Sequence, residues 1–77
     1  MKYKKGDLVK YKNGCRFRYC KVYKHDENGT VWGMWFNTVE EARASEPREV
    51  ATADENTVIM VEPATIESWK QRMEGEL

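Results

Sequence analysis

Seventy-seven residues leave room for one domain with one modest core. A chain this short buries only a little over ~60% of the surface that its unfolded form exposes, so its stability margin is narrow. Thirteen Lys/Arg balance thirteen Asp/Glu, and no apolar run approaches the ~20 residues that a membrane-spanning helix requires. The basic start, Met1 to Lys5, leads into no apolar stretch, so no signal peptide is expected and the expected location is the cytoplasm.

The zero net charge conceals a polarised chain, with +8 over residues 1–25 and −8 over residues 26–77. Either the two parts neutralise each other across adjacent elements, or a basic face is aimed at an anionic ligand.

In chain order, Gly6-Asp7 supplies turn chemistry before a short strand in which Val9 and Tyr11 share one face at period two. Asn13-Gly14 punctuates, and residues 15–25, rich in Tyr, Phe and Val, read as a long strand. Asn28-Gly29 then predicts a two-residue type I′ hairpin loop. That loop sets Tyr23 opposite Met34, Val22 opposite Trp35 and His25 opposite Trp32. The return strand runs from Thr30 to about Phe36. Neither face of this hairpin is cleanly polar, so both are expected to be covered in part, by barrel closure, a helix or a partner chain.

Thr38-Val39-Glu40-Glu41 matches a capping box and opens a helix over about 38–46, which Pro47 ends. Residues 48–56 read as a polar loop with one short pairing segment at Glu49-Val50-Ala51. Thr57 to Glu62, with four consecutive apolar residues, predicts a buried strand. After Pro63, Ile66, Trp69 and Met73 form one apolar stripe, predicting an amphipathic helix from about Ala64 to Glu74. The expected fold is a single mainly β (α+β) domain over 1–77, an antiparallel barrel or sheet in the order β-β-β-α-β-α.

The opening Gly6-Asp7-Leu8-Val9 and the long hairpin after it resemble the start of SH3-like small β-barrels of the KOW and Tudor type. The resemblance covers about residues 5–36 and 57–62. It implies an SH3-like fold whose hairpin supplies much of the ligand surface. The run Trp32-Gly33-Met34-Trp35-Phe36, then Thr38-Val39-Glu40-Glu41-Ala42 and a short apolar strand, resembles small accessory proteins of bacteriophage genomes. That resemblance implies a protein that binds and blocks a host or defence factor in the host cytoplasm.

Chemistry finds little purchase here. One histidine, His25, leaves a single possible base for any nucleophile. By strand parity Cys20 and His25 point to opposite faces, and Cys15 lies ~33 Å from His25 at ~3.3 Å per residue. Cys15, Cys20 and His25 lack a fourth ligand at zinc spacing. Cys15 and Cys20, five apart on one strand, cannot bridge each other. The expectation is no enzyme, no cofactor and no metal.

Binding has more support. Arg16, Arg18, Lys21 and Lys24 interleave with Phe17, Tyr19 and Tyr23, and Trp32 and Trp35 lie across the hairpin. Basic groups and aromatic platforms anchor protein interfaces and equally suit phosphate and base. The leading expectation is a protein-binding inhibitor. A binder of nucleic acid or of a small nucleotide is the alternative, and a structural or homo-oligomeric subunit the third. No membrane partner is expected.

Overall fold

The computed structural model describes residues 2–64. Strands β1 (Leu8–Asn13) and β2 (Arg16–His25) form a long hairpin, β3 (Thr30–Gly33) returns beside β2, and helix α1 (Val39–Ala44) follows. Strands β4 (Ala51–Asp54) and β5 (Val58–Glu62) are joined by a single 3-10 turn, Glu55–Thr57. Every pairing is antiparallel, in the lateral order β4-β3-β2-β1-β5. The two edge strands are thus linked by one tight turn, and so short a link makes the sheet curl until its edges approach. β2 carries the bend: its first part pairs with β1, its end pairs with β3, and the register slips between Val22 and Lys24.

The mainly β expectation holds, with one strand more than expected. Segment 48–56 was expected to be polar loop, and its pairing part lies later than Glu49–Ala51, as β4. The predicted helix is present. Thr38 Oγ1 accepts the Glu41 amide at 3.2 Å, while Glu41 answers through the Thr38 hydroxyl, at 2.9 Å, instead of the Thr38 amide. Apart from Ala64 itself, the helix expected over 64–74 lies outside the described residues.

The hairpin register departs from expectation by one residue. His25 faces Val31 and Lys24 faces Trp32, where a two-residue loop would have set His25 against Trp32. The Asp26 amide donates to Thr30 O at 3.0 Å and the Gly29 amide to Asp26 O at 3.1 Å, so the loop has three residues. Only Gly29 takes a positive φ there, +81°, as the bulge position after a type I turn requires. Asp26 selects this loop. Its Oδ1 accepts the Asn28 and Thr30 amides, each at 3.0 Å, and its Oδ2 accepts the Trp32 indole N–H at 3.1 Å. The indole first, and then the Thr30 amide, hold the Asp26 carboxyl below the usual carboxylate range. A group lowered in this way supports the folded hairpin above its ordinary titration range, and acid removes that support.

The slip at Tyr23 also reverses parity along β2. Val22 and His25, three apart, both turn inward, so Cys20 and His25 share the inner face, contrary to the strand-parity expectation. The inner face holds the core: Tyr3, Val9, Cys20, Val22, Val31 and Val58, with Tyr11, Trp35 and Ala53 packed against it. Of the described aromatics only Tyr3 is buried, so the core is mainly aliphatic and the Trp and Phe rings are only half-buried.

The outer face has its own cover. α1 packs on β2, its Arg43 pairs with Glu62 of β5 at 3.3 Å, and Ala42 is fully buried. Because β1 lies between β2 and β5, α1 crosses above it at Leu8, which is buried on the face opposite Val9. Both faces are therefore partly covered, as the mixed hairpin pattern predicted. β5 is not the buried strand expected: Val58 is buried, but Ile59, Met60 and Val61 are 52%, 39% and 38% exposed. Among the described residues α1 meets this edge strand through Arg43 and Glu62, and the three side chains before Glu62 stay part-exposed.

Both described cysteines are free, Cys15 exposed at the β1–β2 turn and Cys20 in the core, where burial pushes its thiol up to about 12. Folded protein at mildly alkaline pH should therefore react with a thiol reagent at Cys15 alone, Cys20 following only on denaturation. Equal reaction rates at the two thiols would overturn the placement of Cys20.

Candidate functional site

The eight residues singled out from sequence do not form one surface. Cross-strand pairing puts Tyr19, Lys21, Tyr23, Lys24 and Trp32 on the outer face, and Arg16, Arg18 and Trp35 on the inner one. The Tyr19–Phe36 bridge continues the register that pairs Val22 with Gly33, which sets Trp35 beside Cys20.

On the inner side Trp35 meets Tyr11 edge-on, with ring centroids 4.8 Å apart. Arg18 is anchored there: Nη2 donates to Trp35 O at 3.1 Å. Arg18 Nε and Trp35 Nε1 are buried with no partner among the described residues. Arg18 thus fastens the chain after β3, and reversing its charge would disturb the fold as well as any ligand. Arg16, by contrast, is exposed at the hairpin end and makes no ion pair among the described residues.

Past α1 toward the Gly14–Cys15 turn, the outer face holds a surface that the eight residues only graze. Lys10 lies opposite Tyr19 and Lys12 opposite Phe17, while Ile59 of β5 flanks Lys10 on its other side. Lys10 Nζ sits 4.5 Å from the Phe17 ring centroid, a cation–π distance. None of Lys10, Lys12 and Lys21 has a carboxylate partner among the described residues. The other end differs. Lys24, over Trp32 at 5.1 Å, is partly neutralised by Glu49 at 3.8 Å, and Lys5 lies over Tyr23 at 4.7 Å. Among the described residues, neutralisation between the chain's two parts is thus local, carried by Lys24 with Glu49; Arg43 and Glu62 pair within the acidic part.

The residues missed by sequence reasoning are Lys10, Lys12 and Ile59. A signal for the first two was available: Val9 and Tyr11 alternate with them, so if one pair faces the core the other faces outward. Ile59 carried no such signal, because four consecutive apolar residues read as buried.

A five-stranded, fully antiparallel sheet curled on itself, with a 3-10 turn before the last strand, fits an SH3-like small β fold. No protein-family model, curated protein or solved structure matches the chain. Among the described residues no helix is long and apolar enough to cross a membrane, and no three His, Cys, Asp or Glu side chains gather as metal ligands.

Proposed function

We propose that the chain is a non-catalytic binding module that docks on a protein partner through an acidic surface and acts by occupying it, as an inhibitor of a host or defence factor would. The observation that carries this reading is the mixed composition of the outer face near the Gly14–Cys15 turn. Ile59, exposed on β5, flanks Lys10 on that face, Lys10 lies over the half-buried Phe17, and Lys12 stands opposite Phe17. An apolar centre with a charged rim is how protein interfaces are built, and cations with no carboxylate partner among the described residues favour an acidic counterpart.

A second reading, a binder of single-stranded nucleic acid or a nucleotide, draws on the lysine–aromatic pairs Lys10–Phe17 and Lys5–Tyr23. Exposed aliphatics on β5 would contribute nothing to phosphate recognition, which ranks this reading second.

The test is a pull-down from host lysate, repeated with Lys10→Glu plus Lys12→Glu. The captured complex should weaken at least ~10-fold, equivalent to about 1.4 kcal/mol, while the melting temperature of the module stays unchanged. Undiminished capture would remove these lysines from the site. Binding of a labelled oligothymidylate whose affinity falls steeply with added salt would favour the second reading.

A further inference from the structure

His25 ends β2 inside the barrel, with its side chain only 1% exposed. Two contacts define its state. Its Nδ1 accepts the backbone N–H of Tyr3 at 3.1 Å, and its Nε2 lies 2.5 Å from Glu55 Oε2 on the 3-10 turn. A nitrogen that accepts an N–H must carry a lone pair, so Nδ1 is unprotonated and Nε2–H donates to the carboxylate. The imidazole is neutral, and its tautomer is set by the main chain of a residue 22 positions away.

Tyr3 is held at three points. Its ring sits 5.4 Å from the imidazole, its hydroxyl donates to Val58 O at 2.9 Å, and its amide donates to Nδ1. It plugs the barrel between the end of β2 and the start of β5. The residues around it are cationic: Lys2 lies 5.5 Å from the Tyr3 ring, and Lys4 and Lys5 follow.

We propose that protonation of His25 is a switch that releases the N-terminal strap, residues 2 and 3, from the inner face of the sheet, hinged at the turn that Lys4 and Asp7 close. An imidazolium carries a proton on Nδ1, and two N–H groups cannot point at each other across a hydrogen-bond distance. The proton and the Tyr3 amide therefore compete for one lone pair. Glu55 decides where the cation rests. Its carboxylate, 40% exposed, faces Nε2 and pairs with the imidazolium once the strap has left. The groups facing the ring are thus Tyr3 from the strap and Glu55 from the 3-10 turn; Lys24 lies on the outer face and Asp26 is engaged in its own turn.

The sign follows from proton counting. The open form holds one proton more than the closed form, so lowering the pH draws population from closed to open. Opening uncovers the Val58 carbonyl and the site vacated by Tyr3, beside the already exposed Ile59–Val61 run of β5. Acid would in this way enlarge the apolar surface and free Lys2 together with Tyr3.

Amide and imidazole nitrogen NMR on the full chain tests the switch between pH of about 8 and about 5. The Tyr3 amide signal should be lost from its hydrogen-bonded position in the same step in which Nδ1 of His25 gains its proton, while the Val22 and Val31 amides stay in place. In His25→Gln, whose side-chain carbonyl accepts but does not titrate, the Tyr3 amide should show no such step. Protonation of His25 with an unmoved Tyr3 amide would overturn the proposal. Loss of Tyr3 together with the Val22 and Val31 amides would overturn it too, since that is global acid unfolding. If the Gln variant does not fold, the wild-type titration decides alone.

Discussion

Replacing Asp7 with alanine is expected to cost about 3 kcal/mol of folding stability. The Asp7 carboxylate is buried, with the residue 4% exposed, and it serves two chain segments at once. Oδ2 accepts the Lys4 amide at 2.9 Å, closing the turn that delivers β1, and Oδ1 accepts the Ala64 amide at 2.7 Å, where the chain leaves β5. Hydrogen bonds to a charged acceptor contribute roughly 1.5–3 kcal/mol each, and alanine would also leave two donors unpaired. Asp7→Asn should fall between the two, because its amide nitrogen would face one of those N–H groups. Urea titration should show a lower midpoint at unchanged slope. A loss in Asp7→Ala below ~1 kcal/mol would mean that water replaces the carboxylate and that the clasp is incidental.

Gly33→Ala is expected to destabilise by roughly 1–2 kcal/mol, although it adds one methyl group and demands no unusual backbone angle. A Cβ at Gly33 would lie 2.6 Å from Cys20 Sγ, 3.3 Å from Cys20 Cβ and 3.1 Å from Lys21 O. Turning the Cys20 thiol aside would relieve only the first of these, and Cys20 is fully buried in the core. Alanine also restricts the unfolded chain, a gain of about 0.4–1 kcal/mol, which is smaller than the usual cost of overpacking. The melting temperature should fall by roughly 5–15 °C, at ~4–8 °C per kcal/mol for a domain of this size. Cys20→Ala should absorb part of the loss, so the double variant should be less destabilised than the two single changes combined. Strict additivity would show that the crowding lies elsewhere.

Both effects arise at close approaches across the sheet, and such approaches separate what could be read in advance from what could not. The strand and helix segments were legible because their signals are local. Alternation marked β1, Thr38 and Glu41 marked the start of α1, and Asn28-Gly29 marked the second hairpin. The register of that hairpin was not legible. Asn-Gly suits a two-residue loop by itself, and the three-residue loop wins because Asp26 reaches Thr30 and Trp32 as well. The slip at Tyr23 then reverses the faces beyond it, which is how His25 came to be buried next to Tyr3.

The sequence alone determined that this is a small, mainly β chain with one capped helix, a basic first third and two cysteines that cannot pair. Composition, alternation and capping act over a few residues, so one strand of text suffices to read them. The tertiary structure decided which charges are neutralised, which apolar strand stays exposed and which polar residues hold the ends together. Those outcomes depend on distances between residues as far apart as Asp7 and Ala64 or Lys10 and Ile59. Only the curl of the sheet sets such distances, and it placed the cationic face on the far part of the β1–β2 hairpin.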